Sequence, residues 1–339
     1  ASLTKKKQLA DFQLPRILLA GVQKSASTAV ADFLHRAGVC LSRPDPIHKT
    51  EQKSVYFFDK NYDQGIKYYS DKFAHCKDMS VATDATPNNF RWPRRIRKTY
   101  DSVSPDQVEQ LKVVVVVRDP VARELSWYNH IAAECMKNPD RCDEKVIHRE
   151  NKNGTSPLLL SFPEYAENIF GGENSNAHSV KSRSASFYGQ YLQEWYHYFD
   201  PKQILVLSYS ELVSKESAFL RRVVSFLDLE VDSSLMKSGT AKKNTQKSSS
   251  KVVAVPCDTQ VRLSNAFKES NEQFLHLLDQ VEGPPMQQAP FPQFELQGCF
   301  EATQEEPRVN QEIFPQTQPS LRGKKDLSQE AIKSLPSDG

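Results

Sequence analysis

Two short segments of this chain carry residues suited to holding anions. The first is Gly21-Val22-Gln23-Lys24-Ser25-Ala26-Ser27-Thr28-Ala29, which follows an aliphatic run and leads into a helical pattern. Backbone N–H groups at the start of a helix, together with its dipole, attract negative charge. Lys24 adds a point charge, and Ser25, Ser27 and Thr28 add hydroxyl donors. With Gln23 and Ala26 between them they make a loop of phosphate-binding type. A Walker A loop needs glycine immediately before the lysine, and Gln23 stands there, which disfavours a nucleoside-triphosphate kinase. The second segment closes the run Val113–Val117 with Arg118-Asp119-Pro120, and Ser126 follows on the next helical pattern. An arginine and a hydroxyl make a second, separate anion site. Two such sites on neighbouring strand ends suit a nucleotide with phosphate at both its 5′ and 3′ positions.

Three apolar runs must position these groups: Arg16–Ala20, Val113–Val117 and Ile204–Ser208. None alternates with polar residues, as expected of strands covered on both faces. After the first, Val30, Phe33, Leu34 and Ala37 recur at helical spacing and stop at Gly38, a natural residue just past a helix end. After the second, Asp119 can cap a helix with Pro120 in its first position, and Val121, Leu125, Tyr128 and Ala132 share a face. After the third, Glu211 to Leu227 reads as one helix carrying Leu212, Phe219, Leu220 and Val223. Strand–helix alternation predicts a single α/β domain, a parallel sheet flanked by helices. Ligands of such sheets bind beyond the carboxyl ends of the strands.

The folded unit is expected over residues 14–282 of the 339, after a short lead at 1–13. From Gly283 onward Pro, Gln, Glu and Ser dominate, and such a composition predicts a disordered or extended tail. The net charge of +2 excludes a dedicated nucleic-acid binder. Between Asp232 and Asp258 the charged residues are Lys237, Lys242, Lys243, Lys247 and Lys251, which fits either a solvated loop or a lid over an anionic ligand. No apolar stretch reaches the roughly 18 residues of a membrane span. The chain opens on Ala1, so an anchor preceding it is an expectation. Of six cysteines, Cys135 and Cys142 flank a short loop and can close it, and no spacing suits zinc, so no metal is expected. Asn153-Gly154-Thr155 is a glycosylation sequon and fits a secretory protein.

The two anion sites together resemble the signature with which sulfotransferases bind PAPS, 3′-phosphoadenosine 5′-phosphosulfate. The loop is similar to GVxKxGTT, and VVVVVRDPVARELSWY is similar to the 3′-phosphate motif. Further motifs resemble the heparan-sulfate-type Golgi branch: Lys53–Asp59 its K-E-x-H-F-F-D, Asp84–Phe90 its E-K-[ST]-P-x-Y-F, and Phe187–Trp195 its G-x-Y-x-x-x-L-x-x-W. The match runs colinearly from about Leu14 to Leu278. It implies the sulfotransferase fold, with a P-loop-like central parallel sheet. It also implies metal-free sulfuryl transfer from PAPS to a carbohydrate hydroxyl, with release of adenosine 3′,5′-bisphosphate, in the Golgi lumen or secretory pathway. Lys24, Ser25, Ser27 and Thr28, with Gln23 and Ala26, would hold the 5′-phosphosulfate. Arg118 and Ser126 would hold the 3′-phosphate. Lys251 would be a further contact, although that loop's arginine is here Val253.

Two departures bear on catalysis. The branch's general-base glutamate is here Ser54, and its second-motif lysine is here Ala85. Lys24 and Lys53 remain as catalytic cations. The base is open among Glu51, His48, Asp59 and Asp84, with Glu51 the first candidate. A binding protein that kept the cleft and lost turnover is the alternative. Acceptor choice is expected from Cys135–Ser184 and from the lysine-rich stretch, which suits an anionic polysaccharide without excluding a small hydroxylated metabolite.

Overall fold

The computed structural model describes residues 12–43, 53–138, 148–149, 158–170, 184–237 and 255–294. Five strands form one sheet: β1 (Ile17–Gly21), β2 (Cys40–Leu41), β3 (Ala82–Asp84), β4 (Lys112–Val117) and β5 (Ile204–Ser208). Their spatial order is β2-β3-β1-β4-β5, and every pair is parallel. The helices used below are α1 (Ser27–Arg36), α2 (Pro93–Val103), α3 (Pro120–Lys137), α4 (Phe162–Phe170), α5 (Tyr188–Tyr198), α6 (Glu216–Phe226) and α7 (Cys257–Gln280). Among the described residues, no helix is long and apolar enough to cross a membrane.

The five valines of β4 explain why the sheet is covered on both sides. Successive side chains point to opposite faces. Val113, Val115 and Val117 join one core with Leu18 of β1, Tyr100 of α2 and Trp195 of α5. Val114 and Val116 join the other with Leu19, Phe33 and Leu34 of α1, and Phe219 of α6. A third cluster packs α3, α4 and α7 through Val121, Phe162, Tyr165, Leu263 and Phe267. These layers are the α/β fold expected from the strand–helix alternation.

The connections give this sheet its crevice. From β1 the chain crosses toward β2, and from β4 it crosses the other way toward β5, so β1 and β4 part company at their carboxyl ends. Such a switch point is where open parallel sheets bind ligands. Gly21 ends β1 there with φ +149°, and a Cβ on it would lie 2.3 Å from the carbonyl oxygen of Pro87. Only glycine allows the loop after β3 to close against β1 at this point.

Local signals account for most of the boundaries. The Asp119 carboxylate accepts the Ala122 N–H at 2.7 Å, capping α3 with Pro120 in its first position. Gly38 follows α1 with φ +88°. The single helix expected over Glu211–Leu227 is instead two, Tyr209–Ser214 and α6, because Ser208 caps the first early and Lys215 leaves helical geometry at φ −138°. Beyond α7, Phe291 is buried against Phe274, and Gln287 exchanges hydrogen bonds with the Val206 backbone at 2.8 and 2.9 Å. The Pro/Gln-rich stretch therefore packs on the core as far as Phe294.

Cys40 of β2 and Cys76 form a disulfide that the cysteine spacing did not suggest. It closes a separation of 36 residues and ties down the edge strand, worth roughly 4 kcal/mol on chain-entropy grounds. Cys135 is also disulfide-bonded. Cys142, its expected partner, lies outside the described residues, as does the Asn153 sequon.

Substituting Gly21→Ala should lower unfolding free energy by more than about 2 kcal/mol, through backbone overlap and a disfavoured φ together. Urea titration of the two proteins checks this; a loss within about 0.5 kcal/mol would show that the Pro87 loop gives way freely.

Candidate nucleotide and acceptor site

The β1 loop turns sharply before α1. Lys24 and Ala26 both occupy the left-handed region, at φ 73° and 66°. Ala26 stands at the N-cap of α1 and offers no side-chain acceptor, and the first turn of α1 carries no acid. Its amide groups and dipole are thus left for an external anion. The Ser25 hydroxyl is fully buried and has no hydrogen-bond partner among the described residues. A buried unpaired hydroxyl costs on the order of 1–3 kcal/mol, so the loop suits a ligand oxygen arriving at that point.

Three cations converge on the loop. Burial lowers the Lys24 pKa, and the positive charges of Arg118 and Arg123 push it the same way. Arg118, at the end of β4, lies over the Tyr209 ring with its guanidinium carbon 4.8 Å from the centroid. Arg123 is buried in the first turns of α3, and its Nη1 donates to the Gln23 carbonyl oxygen at 3.4 Å. Its counter-charge is Glu124, 2.5 Å away and equally buried. The Glu124 carboxylate also accepts from the Ser186 hydroxyl at 3.0 Å, from Tyr165 at 3.2 Å and from Ser184. Neither Arg123 nor Tyr209 was singled out from sequence. Helical position would have placed Arg123 beside the crevice, five residues past Arg118, whereas Tyr209 carried no signal beyond ending a strand.

Of the other expected residues, Lys53 reaches the loop: its Nζ donates to Thr28 Oγ1 at 2.6 Å. Ser126 is half-buried on α3, about two turns from Arg118. Glu51, His48 and Lys251 lie outside the described residues, as do Lys242, Lys243 and Lys247.

The Lys53 and Asp84 motifs prove to be one unit. The Ala85 N–H donates to the Lys53 carbonyl at 3.0 Å, and Thr86 Oγ1 accepts from the Val55 and Tyr56 N–H groups at 2.8 and 3.2 Å. Ser54 Oγ donates to the Ala85 carbonyl at 3.4 Å, and Ala85 itself is fully buried. Asp84, a candidate base, is fully buried and accepts four hydrogen bonds, from Tyr69, Asn89 and both the N–H and hydroxyl of Thr86. Burial raises its pKa despite these donors. Saturated in this way, it braces the unit and has no lone pair free for an acceptor. Asp59 accepts from Asn88 Nδ2 at 2.9 Å through one oxygen, while its other oxygen is buried and has no partner among the described residues.

Residues 14–276 match the sulfotransferase domain. The chain belongs to the sulfotransferase family. Relatives of this sulfotransferase-family chain include human heparan sulfate glucosamine 3-O-sulfotransferase 3B1, 28% identical over 221 residues that cover 64% of this chain and 47% of that protein. Another is human bifunctional heparan sulfate N-deacetylase/N-sulfotransferase 3, 24% identical over 80% of this chain and 31% of that protein. The branch that the motifs resemble is thus the branch of these relatives. The chain spans about half the length of the first and less of the second. A sulfotransferase from Alicyclobacillus acidocaldarius shares the fold, with a TM-score of 0.53 at 14% identity over 78% of this chain and 95% of that one.

Removing one partner of the buried Arg123–Glu124 pair leaves an uncompensated charge. Glu124→Ala should therefore destabilise the protein by about 3–5 kcal/mol, and Arg123→Met/Glu124→Leu together by less than the sum of the single changes. A double-mutant cycle by chemical denaturation measures the coupling; additive costs would mean the two charges act independently.

Proposed function

We propose that this chain transfers a sulfuryl group from PAPS to a hydroxyl or amine of a carbohydrate. The observation that carries the reading is the convergence of Lys24, Arg118 and Arg123 around a helix N-terminus with a buried Ser25 hydroxyl that has no partner among the described residues. That much positive charge in one crevice calls for a multiply charged ligand. A nucleotide with phosphate at both ends would set one at the β1 loop and the other at Arg118, on the neighbouring strand end.

In this reading Lys24, Ser25, Ser27 and Thr28, with the backbone of Gln23 and Ala26, hold the 5′-phosphosulfate, and Arg118 and Ser126 hold the 3′-phosphate. Lys251 adds a contact from the lysine-rich stretch. The acceptor oxygen or nitrogen attacks sulfur in line as the bond from sulfur to the 5′-phosphate oxygen breaks, and adenosine 3′,5′-bisphosphate leaves. Lys24 stabilises the charge that grows on the bridging oxygen. Lys53, through Thr28, fixes the first turn of α1 against the acceptor side. The acceptor proton passes to a carboxylate, for which Glu51 is the proposed base. The heparan sulfate relatives support the carbohydrate acceptor and, by analogy, a place in the secretory pathway.

A second reading is favoured by one specific contact. Where the resemblance puts a base, Ser54 donates to the Ala85 carbonyl instead. A protein that binds the nucleotide without turnover fits this arrangement.

Calorimetry with adenosine 3′,5′-bisphosphate, followed by transfer of radiolabelled sulfate from PAPS to a desulfated glycan, separates the readings. Binding and transfer are expected; binding alone supports the second reading, and no binding ends both. Affinity should also depend on pH through Lys24. Below its lowered pKa the side chain is cationic and attracts phosphate; above it the charge is gone. The affinity should therefore fall on the alkaline side at a pH below that of an ordinary lysine, and Lys24→Met should flatten the profile while weakening binding about tenfold or more. An unchanged profile in that variant would remove Lys24 from the anion site.

A further inference from the structure

We infer that the segment after α7, residues 283–294, is a strap that holds Arg118 in the pose that recognises a nucleotide 3′-phosphate. The inference rests on the sulfuryl-transfer reading above, which puts that phosphate on Arg118. The sulfotransferase domain match ends at residue 276, so the strap lies beyond the matched domain. Its Pro/Gln-rich composition predicts an extended tail, yet it packs on the core through buried Phe291 and half-buried Phe294. Two routes lead from it to Arg118.

The first route ends on the Arg118 backbone. Tyr188, the first residue of α5, is fully buried, and its hydroxyl donates to the Arg118 carbonyl at 2.8 Å, at the turn from β4 into α3. The Tyr188 ring packs against Phe274 of α7 with 5.7 Å between centroids, and against Phe294 with 5.9 Å. Phe294 also stacks on Phe274 at 5.9 Å, and Phe291 meets that ring edge-on at 5.4 Å. The strap thus completes the aromatic packing around Tyr188. The second route ends under the Arg118 side chain, which lies over the Tyr209 ring. Tyr209 directly follows β5, the last strand on its side of the sheet. The Gln287 amide bonds both the N–H and the carbonyl of Val206 on that strand, at 2.9 and 2.8 Å, as a neighbouring strand would. One residue earlier, the Met286 carbonyl accepts from Arg222 Nη1 at 2.6 Å, and Arg222 Nε donates to Glu211 at 3.0 Å. Val206 and Glu211 bracket Tyr209, so the strap fixes the chain on both sides of the ring that carries the guanidinium.

Covering apolar surface would need only the phenylalanines. The bonds made by Gln287 and Met286 are directional, and they act on the edge strand and on Arg222 rather than on the core. An arginine–phosphate contact is a planar fork whose strength depends on orientation. An arginine at a strand end otherwise samples many rotamers, and holding it beforehand lowers the ordering cost of binding. Tyr188, Gln287 and Phe294 are therefore positioning residues for the 3′-phosphate, and they act through Arg118.

The test uses the full-length chain and two ligands that differ only in the 3′-phosphate, adenosine 3′,5′-bisphosphate and adenosine 5′-phosphate. Calorimetry gives the ratio of their affinities, and that ratio reads the 3′-phosphate site alone. Phe294→Ala and Gln287→Ala should each lower the ratio about fivefold or more, with affinity for adenosine 5′-phosphate unchanged. Arg118→Met should lower it further, and adding either strap substitution to Arg118→Met should change nothing more. A strap that served only stability would weaken both ligands together or neither. Circular dichroism checks that each variant is folded; should Phe294→Ala unfold, Gln287→Ala, which leaves the aromatic packing intact, decides the question. An unchanged ratio in the folded strap variants overturns the inference, as does an equal loss in the Arg118→Met background. A parent chain that binds neither nucleotide, or both equally, instead fails the sulfuryl-transfer reading itself. A parent that prefers the bisphosphate, with variants that keep the preference, fails the strap alone.

Discussion

Like charges repel, and the crevice between β1 and β4 holds Lys24, Arg118 and Arg123 close enough for the two arginines to depress the lysine's pKa. In the low-dielectric interior such repulsion is several-fold stronger than in water. The fold tolerates it because Arg123 is not left alone. Glu124 neutralises it inside the protein, and Ser184, Ser186 and Tyr165 donate hydrogen bonds to the carboxylate that offset part of the cost of burying it. Arg118 is handled differently, spread over the face of Tyr209 at the end of β5. That leaves Lys24 as the charge with least internal compensation, seated where the helix dipole of α1 also points. The site is thus positive by construction rather than by a surplus of basic residues, and a chain of net charge +2 can still hold a strongly anionic ligand.

The same loop carries strain. Lys24 and Ala26 sit in the left-handed region, which costs a residue with a side chain about 1–2 kcal/mol. Where the resemblance puts glycine in this loop, Ala26 meets the same backbone requirement at higher energy. Strain of this kind persists only when the surroundings over-determine it. Here the Val22 N–H is held by Val116 at 2.7 Å, the Gln23 carbonyl by Arg123, and Thr28 by Lys53. A rigid loop with its amides exposed has little ordering left to lose when an anion binds, which favours affinity.

What sequence could reveal followed from chemistry that is local. The runs that became β1, β4 and β5 are buried on both faces and so read as continuous hydrophobic stretches; the Asp119-Pro120 start of α3 and the Gly38 exit from α1 are written in single residues. The residues Lys24, Ser25, Thr28 and Arg118 were legible because a strand end followed by a helix fixes where they go. The strands β2 and β3 were not, being two and three residues long and too short to carry a period. Nor were contacts between distant segments. The Cys40–Cys76 bridge, the Arg123–Glu124 cluster closed by Ser184 and Ser186, and the stack of Tyr62, Arg95 and Trp92 all depend on tertiary neighbours.

The departures at Ser54 and Ala85 are best understood as one change. The resemblance puts a glutamate and a lysine at these positions, and the fold brings them into contact, with the Ser54 hydroxyl on the Ala85 carbonyl and the Ala85 N–H on the Lys53 carbonyl. Ala85 is buried in the same core as Val116 and Phe33. Losing only the glutamate would leave a lysine next to Asp84, whose carboxylate is already saturated by hydrogen bonds, and would add a further cation to an already repulsive crevice. Losing only the lysine would leave a half-buried carboxylate without its counter-charge. Breaking one side of such a pair typically costs about 3–5 kcal/mol, whereas replacing both sides can be near neutral. The electrostatics therefore permit the two charges to vanish together and resist either going alone. Asp84 cannot replace the glutamate in proton transfer, since its four donors saturate it, whereas Asp59, the other carboxylate of the unit, accepts from Asn88 through only one of its oxygens.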